Sequence, residues 1–201
     1  MTPSDIAPPR RKPGRPPRGA QGDGPDTATA LLQAAAAEFV EHGFDDTDTN
    51  RIARRAGFSP QTFYHHYGDK LDIFIRVYQA WEEVEHSILD ELLTEQTPAL
   101  QIAERCVASH GSFLTFRRSL RQLAQSEARV RRARADSRLS QVARIRQRYP
   151  AGPGESELAA LLIQIERLTE ALAEGEVQDM AVSDAPALAA LALLIAGLRG
   201  A

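Results

Sequence analysis

The stretch TDTNRIARRAGFSPQTFYHHYGDK, residues 47–70, decides the fold of this 201-residue chain. Its first half predicts a short helix that Thr47 caps with its hydroxyl and that Gly57 ends. Three apolar side chains at helical spacing give this helix one inward face: Ile52, Ala53 and Ala56. The chain is then expected to turn and begin a second helix.

The second half of the stretch carries the start signals of that helix. Ser59 is a favourable N-cap, Pro60 suits a first helical position that needs no amide donor, and Phe58 can pack against Phe63. Phe63 and Tyr67, four residues apart, should pack the helix onto its predecessor. The side chains left outside are Pro60, Gln61, Tyr64 and His65. A short helix that exposes them suits a DNA major groove about 12 Å wide, so we predict a helix-turn-helix.

This pattern, taken with its neighbours, resembles the DNA-binding head of the tetracycline-repressor (TetR) family. The matching positions are Gly43-Phe44, Thr47, Ile52-Ala53, Ala56-Gly57-Phe58-Ser59, Thr62-Phe63-Tyr64 and Lys70-Leu71. The resemblance implies an all-α protein with an N-terminal three-helix head and a C-terminal helical domain that binds an effector and dimerises. It also implies a double-stranded DNA operator and a small-molecule effector as partners, and no cofactor.

Composition agrees with an all-helical chain. Alanine, leucine, glutamate and arginine dominate, and β-branched residues do not alternate over any sustained run. No apolar run reaches about 18 residues and the N-terminus is polar and proline-rich, so we expect no membrane span, no signal peptide and a cytoplasmic location. The single cysteine, Cys106, excludes an internal disulfide framework.

We expect three regions: a flexible arm at 1–25, the head at 26–70, and the effector-binding and dimerisation domain at 71–201. The formal net charge of −3 argues against indiscriminate coating of nucleic acid, but the arm is basic. Its cations of interest are Arg11, Lys12, Arg15 and Arg18. The arm resembles AT-hook peptides, whose arginine enters a narrow minor groove. The alternative is a solubilising tail.

The head should begin with a helix that Asp26 or Thr27 caps and that ends at about His42, before Gly43. Its inward stripe is predicted to be Leu32, Ala35, Ala36 and Phe39. The small core of the head is then expected to comprise Phe39, Phe44, Ile52, Phe58, Phe63 and Tyr67. These are packing residues rather than DNA contacts.

The resemblance assigns DNA contacts residue by residue. Base edges would be read by Asn50, Pro60, Gln61, Tyr64 and His65. Phosphates would be held by Thr47, Thr49, Thr62, Tyr64, His66 and Lys70. His65 and His66 point about 100° apart on a helix, so we do not expect them to share a metal ion. The acidic Asp48 lies close to the expected phosphates, but its carboxylate could favour the N-terminus of the first helix in the 47–70 stretch.

From Leu71 onward the pattern predicts a long helix with one apolar stripe, broken at Thr97-Pro98. The stripe comprises Ile73, Phe74, Val77, Tyr78, Trp81, Val84, Ile88 and Leu92. A further helix is expected from Ala99 to about Thr115, with apolar candidates Leu100, Ala103, Val107, Phe113 and Leu114. Residues 117–148 hold eleven arginines. They are expected to face acidic helices; the alternatives are a second nucleic-acid surface or a site for an acidic partner.

Two helices are predicted at the end of the chain. The first follows a loop at 150–154 and includes Leu158 to Leu172, and the second runs from Ala185 to Leu198. Their apolar faces imply a homodimer through Leu161, Leu162, Ile165, Leu168, Leu188, Leu191, Leu194 and Ile195. The alternative is that the terminal helix is a central core helix. Candidate lining residues of an effector pocket are Trp81, Cys106, His110, Phe113 and Phe116.

Two other chemistries find little support in the sequence. Cys106 and His110 lie one helical turn apart, but zinc would lack further ligands, so we expect no metal site. The run Glu82-Glu83-Val84-Glu85-His86 has acid and base groups without a nucleophile or a phosphate loop. We interpret it as a solvated helix face and expect no enzyme.

Two functions remain in competition. The first is a ligand-responsive repressor that a small molecule releases from a pseudo-palindromic operator; the sequence does not set the sign of regulation, so activation is the alternative. The second is an architectural protein that prefers A/T-rich DNA and has no effector.

Overall fold

The computed structural model describes residues 27–92 and 97–200, with the side chains at 87–92 left out of the description. Within these ranges the chain forms ten α-helices and no strand. They are α1 Thr27–His42, α2 Thr49–Arg55, α3 Pro60–His66, α4 Lys70–Leu92, α5 Ala99–Gly111, α6 Leu114–Ser126, α7 Ala128–Arg148, α8 Glu155–Glu174, α9 Glu176–Asp179 and α10 Ala185–Gly197. The all-α prediction is confirmed. The predicted arm at 1–25 and Asp26 lie outside the described residues.

The first three helices build the predicted head around a small apolar core. Phe39, Ile52 and Phe63 are fully buried, and Phe44, Phe58 and Tyr67 pack against them. The inward stripe of α1 is centred one residue earlier than predicted, on Leu31, Ala34, Ala35, Glu38 and Phe39, while Leu32 and Ala36 are only partly buried. One helical position corresponds to a rotation of about 100°. Alanines occur on several sides of α1, so the sequence does not mark clearly which side is buried.

The start of α2 differs from the sequence prediction. Asp48, not Thr47, is the N-cap, and its carboxylate accepts a hydrogen bond from the amide of Arg51 at 2.7 Å. Thr47 is 2% exposed, and its hydroxyl donates to the carbonyl oxygen of Gly43 at 2.7 Å. Both residue types are good N-caps, and the buried bond to the end of α1 decides between them.

The turn into α3 follows the predicted chemistry. Gly57 has a φ of +80°, a region that favours glycine, and it separates the two helices. The Ser59 hydroxyl accepts a hydrogen bond from the amide of Thr62 at 3.3 Å, and Pro60 occupies the first turn. The predicted N-cap and proline position are therefore confirmed.

A buried carboxylate fastens α2 to α1. Glu38 is 4% exposed, and its carboxylate meets Arg51 Nε at 2.5 Å and Arg55 Nη1 at 3.1 Å. Glu41, on the same helix, is exposed at the protein surface, and its carboxylate lies 2.5 Å from Arg55 Nη2. Two of the three arginines in α2 are thus held by acids of α1.

Helix α4 connects the head to the rest of the chain and packs against both. Ile73, Phe74, Val77 and Tyr78 are buried as predicted, but Val84 is 59% exposed and leaves the predicted stripe. The Phe74 ring stacks on Phe116 of α6 with centroids 4.6 Å apart and meets Phe39 of α1 edge-on at 5.0 Å. The core of the head therefore continues into α4, α6 and α7.

The remaining helices form two further cores. Helices α5, α8 and α10 enclose Ile102, Ala103, Leu172, Leu191 and Ile195. A smaller cluster joins the ends of α7, α8 and the chain through Val142, Ile145, Leu158 and Leu198. The helix predicted from Ala99 to about Thr115 ends earlier, at Gly111, and Leu100 is 47% exposed rather than inward. The predicted loop at 150–154 lies between α7 and α8.

Arginines of the segment 117–148 pair with acidic residues elsewhere in the chain. Arg129 reaches Asp69 at 2.8 Å, and Arg144 reaches Glu83 at 2.8 Å. Arg121 contacts Glu170 at 3.3 Å and Glu174 at 3.1 Å. This pairing supports the preferred interpretation, in which basic and acidic helices complement one another.

The Glu38 contacts generate a stability prediction. We expect Glu38→Ala to lower the free energy of unfolding by about 1–3 kcal/mol, because it leaves two arginines without their buried acceptor but both are partly exposed. Chemical denaturation measures the change. Glu41→Ala is the control, since it removes the exposed carboxylate from the same helix and should cost less. Equal losses for the two variants would contradict the role of burial.

Candidate DNA-binding surface and effector cavity

Helix α3 presents the side chains predicted to meet DNA. Its inner face is held by Phe63, which is fully buried, and Tyr67 follows the helix with its hydroxyl donating to the carbonyl oxygen of Ala28 at 2.9 Å. The outer face exposes Pro60, Gln61, Tyr64, His65 and His66. Thr62 is half-buried, and its hydroxyl lies 3.0 Å from that of Ser59. The α3 side chains predicted to read bases thus share one exposed surface.

Tyr64 is the most prominent group on this surface. Its side chain is 57% exposed, and its hydroxyl lies 3.0 Å from the Thr49 hydroxyl on α2. Asn50 is exposed beside Thr49 at the start of α2. The two helices therefore present tyrosine, hydroxyl and amide groups side by side, which are groups that contact base edges and phosphate oxygens.

Two residues predicted to hold phosphate, Thr47 and Lys70, have hydrogen-bond partners within the protein. The Thr47 hydroxyl is buried against the carbonyl oxygens of Gly43 and Glu38, so the prediction that it faces phosphate is wrong for this conformation. Lys70 Nζ donates to the carbonyl oxygens of Phe44 at 2.7 Å and Thr47 at 2.9 Å. An ammonium has three protons, so a phosphate contact by Lys70 stays a prediction.

Behind the head, five helices surround a cavity of about 160 Å³. Its walls come from α4, α5, α6, α7 and α8. The lining residues are Tyr78, Glu82, Glu85, Arg105, Cys106, Ser109, His110, Arg117, Leu120, Arg138, Gln141, Leu162, Ile165, Glu166 and Thr169. Most of the lining residues are ionisable or polar, and Leu120, Leu162 and Ile165 are the apolar ones.

Only part of the predicted effector pocket lines this cavity. Cys106 and His110 do, whereas Trp81, Phe113 and Phe116 do not. The Trp81 ring packs on Phe113 at 4.5 Å and on Phe116 at 4.3 Å between centroids, in the core that joins head and body. The prediction is wrong for these aromatic residues because their rings pack against one another and not against the cavity.

The cavity residues that the sequence did not predict include six charged side chains: Glu82, Glu85, Arg105, Arg117, Arg138 and Glu166. Glu82, Glu85 and His86 point inward, whereas within the same run only Glu83 and Val84 are exposed. The interpretation of this run as a solvated helix face is therefore wrong for three of its five residues. Glu82 and Glu85 follow Tyr78 at four and seven positions, so helical periodicity carried the signal.

Ion pairs organise these charged groups. Arg117 bonds Glu85, and Glu166 is held between Arg134 and Arg138. Burial alone would raise the pKa of Glu166, but the two arginines outweigh it and lower that pKa below its usual value. Burial raises the pKa of Glu82, whose carboxylate accepts a hydrogen bond from the Ser137 hydroxyl.

Cys106 and His110 have environments that suppress their charged forms. Burial raises the pKa of the Cys106 thiol to about 11. Burial and the neighbouring Arg117 lower the pKa of His110 to about 4. At neutral pH the thiol is protonated and the imidazole is neutral, so neither a reactive thiolate nor an imidazolium is present. Among the described residues, no group of three or more His, Cys, Asp or Glu side chains is arranged to hold a metal ion.

The last two long helices divide their apolar residues between core and surface. Leu191 and Ile195 are 0% and 2% exposed within the protomer, so the prediction that they lie at a dimer interface is wrong. Leu161, Leu162, Ile165, Leu168, Leu188 and Leu194 are half-buried. The exposed apolar groups are Leu193 of α10, at 75%, and Ile163 of α8, at 53%. No described helix is long and apolar enough to span a membrane.

The head is similar in sequence to known DNA-binding proteins. Residues 31–77 match the family model of bacterial regulatory proteins, tetR family. An HTH-type transcriptional regulator of Bacillus subtilis (strain 168), YdgC, is 32% identical over 72 residues, which are 36% of this chain and 37% of that protein. The family model covers most of α1, all of α2 and α3, and the first turns of α4.

Solved structures extend the similarity of fold to most of the chain. A tetR-family regulator from Mesorhizobium loti MAFF303099 is similar over 86% of this chain and 94% of its own, with a TM-score of 0.63 and 22% identity. FadR from Bacillus subtilis, solved with stearoyl-CoA, covers 84% and 98% with a TM-score of 0.52 and 17% identity. At these identities the likeness concerns the fold.

The exposed surface of α2 and α3 and the match over residues 31–77 lead to one assignment. Residues 31–77 match the bacterial regulatory proteins of the tetR family, so the head is a DNA-binding domain of the tetR type.

Proposed function

We propose that this protein is a homodimeric repressor that a small molecule releases from a pseudo-palindromic operator. The observation that carries the DNA-binding part is the exposed surface of α3, with Tyr64 bonded to Thr49 of α2. In a two-fold dimer, two such helices read inverted half-sites about one helical turn, 34 to 36 Å, apart. A regulator of this kind works beside the chromosome, in the cytoplasm, and we assign it no enzymatic reaction.

The dimer is supported by the outer face of α10. Leu193 is 75% exposed and lies among exposed alanines, Ala189, Ala190 and Ala196. Ile163 of α8 adds a second exposed apolar side chain. The two helices pack together, as the Leu161 methyl groups lie 3.8 Å from where a Cβ at Gly197 would stand. Exposed apolar side chains on two helices that pack together are suited to contact with a second copy of the chain.

The effector response is supported by the position of α6 between cavity and head. Arg117 and Leu120 of this helix line the cavity. Ser119, on the other side, accepts a hydrogen bond from the amide of Phe44 at 3.0 Å. A ligand that favours one position of α6 changes the support of the head, and its effect is limited by its differential affinity for the two states.

Selection of bound duplexes from a random DNA pool tests the proposal as a whole. We expect the purified protein to enrich one inverted repeat, both with and without residues 1–25. Enrichment of A/T-rich DNA only, lost with the arm, would overturn the repressor proposal and favour the architectural protein.

The recognition surface yields a second prediction. We expect Tyr64→Ala to abolish binding to the selected operator, because it removes an exposed aromatic side chain of α3 together with its bond to Thr49 of α2. Tyr64→Phe keeps the ring but loses the bond to Thr49, so it should weaken binding by about three- to tenfold. Fluorescence anisotropy with labelled operator measures both.

Arg15→Ala serves as the comparison for Tyr64→Ala. Minor-groove contacts by the arm add affinity without placing α3, so we expect this variant to bind the same operator several-fold more weakly. An operator affinity that Tyr64→Ala leaves unchanged would refute the assignment of α3 as the recognition helix.

The dimer surface yields a third prediction. We expect Leu193→Glu to shift the protein to a monomer at micromolar concentration, because it buries a carboxylate in an apolar interface. Leu139→Glu is the matched control, since Leu139 is also 55% exposed but belongs to α7 rather than to α8 or α10. Sedimentation velocity distinguishes the two states, and a dimer that survives Leu193→Glu would place the interface elsewhere.

A further inference from the structure

A cation on the rim of the cavity lacks a counter-ion. Arg105 and Ser109, one turn apart on α5, line the cavity and are exposed to solvent. Cys106 and His110 also line it but are less exposed, so we place Arg105 and Ser109 at the mouth. In the part of the chain that the structure describes, no carboxylate pairs with the Arg105 guanidinium group. This group is therefore available to a ligand that enters the cavity.

Two of the carboxylates in the lining already have arginine partners. Glu85 is paired with Arg117 of α6. Glu166 is paired with two arginines of α7, Arg134 and Arg138. On the α7 side, two guanidinium groups thus share one carboxylate.

The charge that the lining lacks is therefore negative. Arg134 and Arg138 leave one positive charge without a counter-charge, and Arg105 leaves a second. The third carboxylate of the lining, Glu82, offsets them only in part, because burial raises its pKa and so disfavours its charged form. A cleft with excess positive charge attracts an anion, whereas a ligand cation would have to approach the same guanidinium groups.

The rim is also the place where an anionic group is bound at the lowest cost of desolvation. Because Arg105 is exposed, a carboxylate beside it keeps part of its hydration and avoids the penalty of full burial. A guanidinium group offers two N–H donors to the two oxygens of a carboxylate. The Ser109 hydroxyl, one turn further along α5, can donate another hydrogen bond.

The rest of the ligand must be apolar and small. Leu120, Leu162 and Ile165 form the apolar part of the lining, and all three are less exposed than Arg105. The cavity has a volume of about 160 Å³. A cavity of about 150 Å³ in another protein holds one benzene molecule. A single ring or a short chain therefore fits between the rim and the apolar side chains.

We propose that the effector is a small amphipathic carboxylate. Its carboxylate pairs with Arg105 at the mouth of the cavity, and its ring or short chain lies against Leu120, Leu162 and Ile165. The assignment rests on the proposed effector-binding function and specifies the chemistry of the ligand at that site.

A matched series of probes tests the assignment. The probes are 3-phenylpropanoate, 3-phenylpropan-1-ol and 3-phenylpropan-1-amine, which share one apolar body and differ in the charge of the polar end. Isothermal titration calorimetry with the full chain, without DNA, measures their affinities. We expect the carboxylate to bind about three- to tenfold more tightly than the alcohol, and the amine to bind most weakly. Binding of the alcohol or the amine at least as tightly as the carboxylate, or no binding of the carboxylate at millimolar concentration, overturns the assignment.

Variants of Arg105 locate the charged end. We expect Arg105→Gln to lower the affinity for the carboxylate to that for the alcohol, and to leave the alcohol affinity and the thermal stability unchanged. Arg105→Glu should reverse the preference, so that the amine binds more tightly than the carboxylate. Arg132→Gln is the matched control, since Arg132 of α7 is also exposed and does not line the cavity. Equal carboxylate affinities in Arg105→Gln and Arg132→Gln would refute the pairing at the rim.

A separate titration tells this inference apart from the proposed function. Operator release by the carboxylate is followed by fluorescence anisotropy on the selected duplex. Carboxylate binding that depends on Arg105 but does not release the operator supports the ligand class and contradicts the ligand-responsive repressor. Operator release by the alcohol or the amine, with tighter binding than that of the carboxylate, supports the repressor and refutes the ligand class.

Discussion

The packing of Phe74 between Phe39 and Phe116 is the contact on which the rest of the structure depends. It joins α1, α4 and α6 through ring centroids 5.0 Å and 4.6 Å apart. A three-helix head of this size buries little apolar surface by itself, since small units bury a smaller fraction of their surface on folding. Phe116 supplies part of the missing core from the body. The orientation of the head is therefore coupled to the position of α6.

Helix α6 lines the cavity with one side and contacts the head with the other. Arg117 and Leu120 face the cavity, while Ser119 bonds the amide of Phe44 and Gln122 lies 3.4 Å from Asp45. The approach of α6 to the head is close, because a Cβ at Gly43 would come within 3.2 Å of the Ser119 hydroxyl. Gly43 also has a φ of +78°, which favours glycine. The end of α1 is thus shaped to admit α6, and the two helices are in direct contact.

Local chemistry allowed much of the head to be predicted, whereas the cavity depends on distant contacts. Ser59, Pro60 and Gly57 act within a few residues of their own positions, and the structure confirms them. Thr47 and Asp48 are equally good caps locally, and the bond from Thr47 to the end of α1 decides between them. The inward direction of Glu82 and Glu85 is stabilised by Ser137 and Arg117, 55 and 32 residues away. Such pairings leave no periodic pattern of their own in the sequence.

Helix α10 shows a second limit of sequence patterns. Its residues are almost all apolar, so no polar face marks which side meets the protomer core and which side stays outside. Leu191 and Leu193 are the same residue type two positions apart, yet they are 0% and 75% exposed. Ile102 and Leu172 cover the first from α5 and α8, and no described helix covers the second. The absence of a polar face is itself informative, because an isolated protomer would be expected to place charged groups around Leu193. A helix with two apolar sides fits a protein that covers one side with its own core and the other with a second copy of itself.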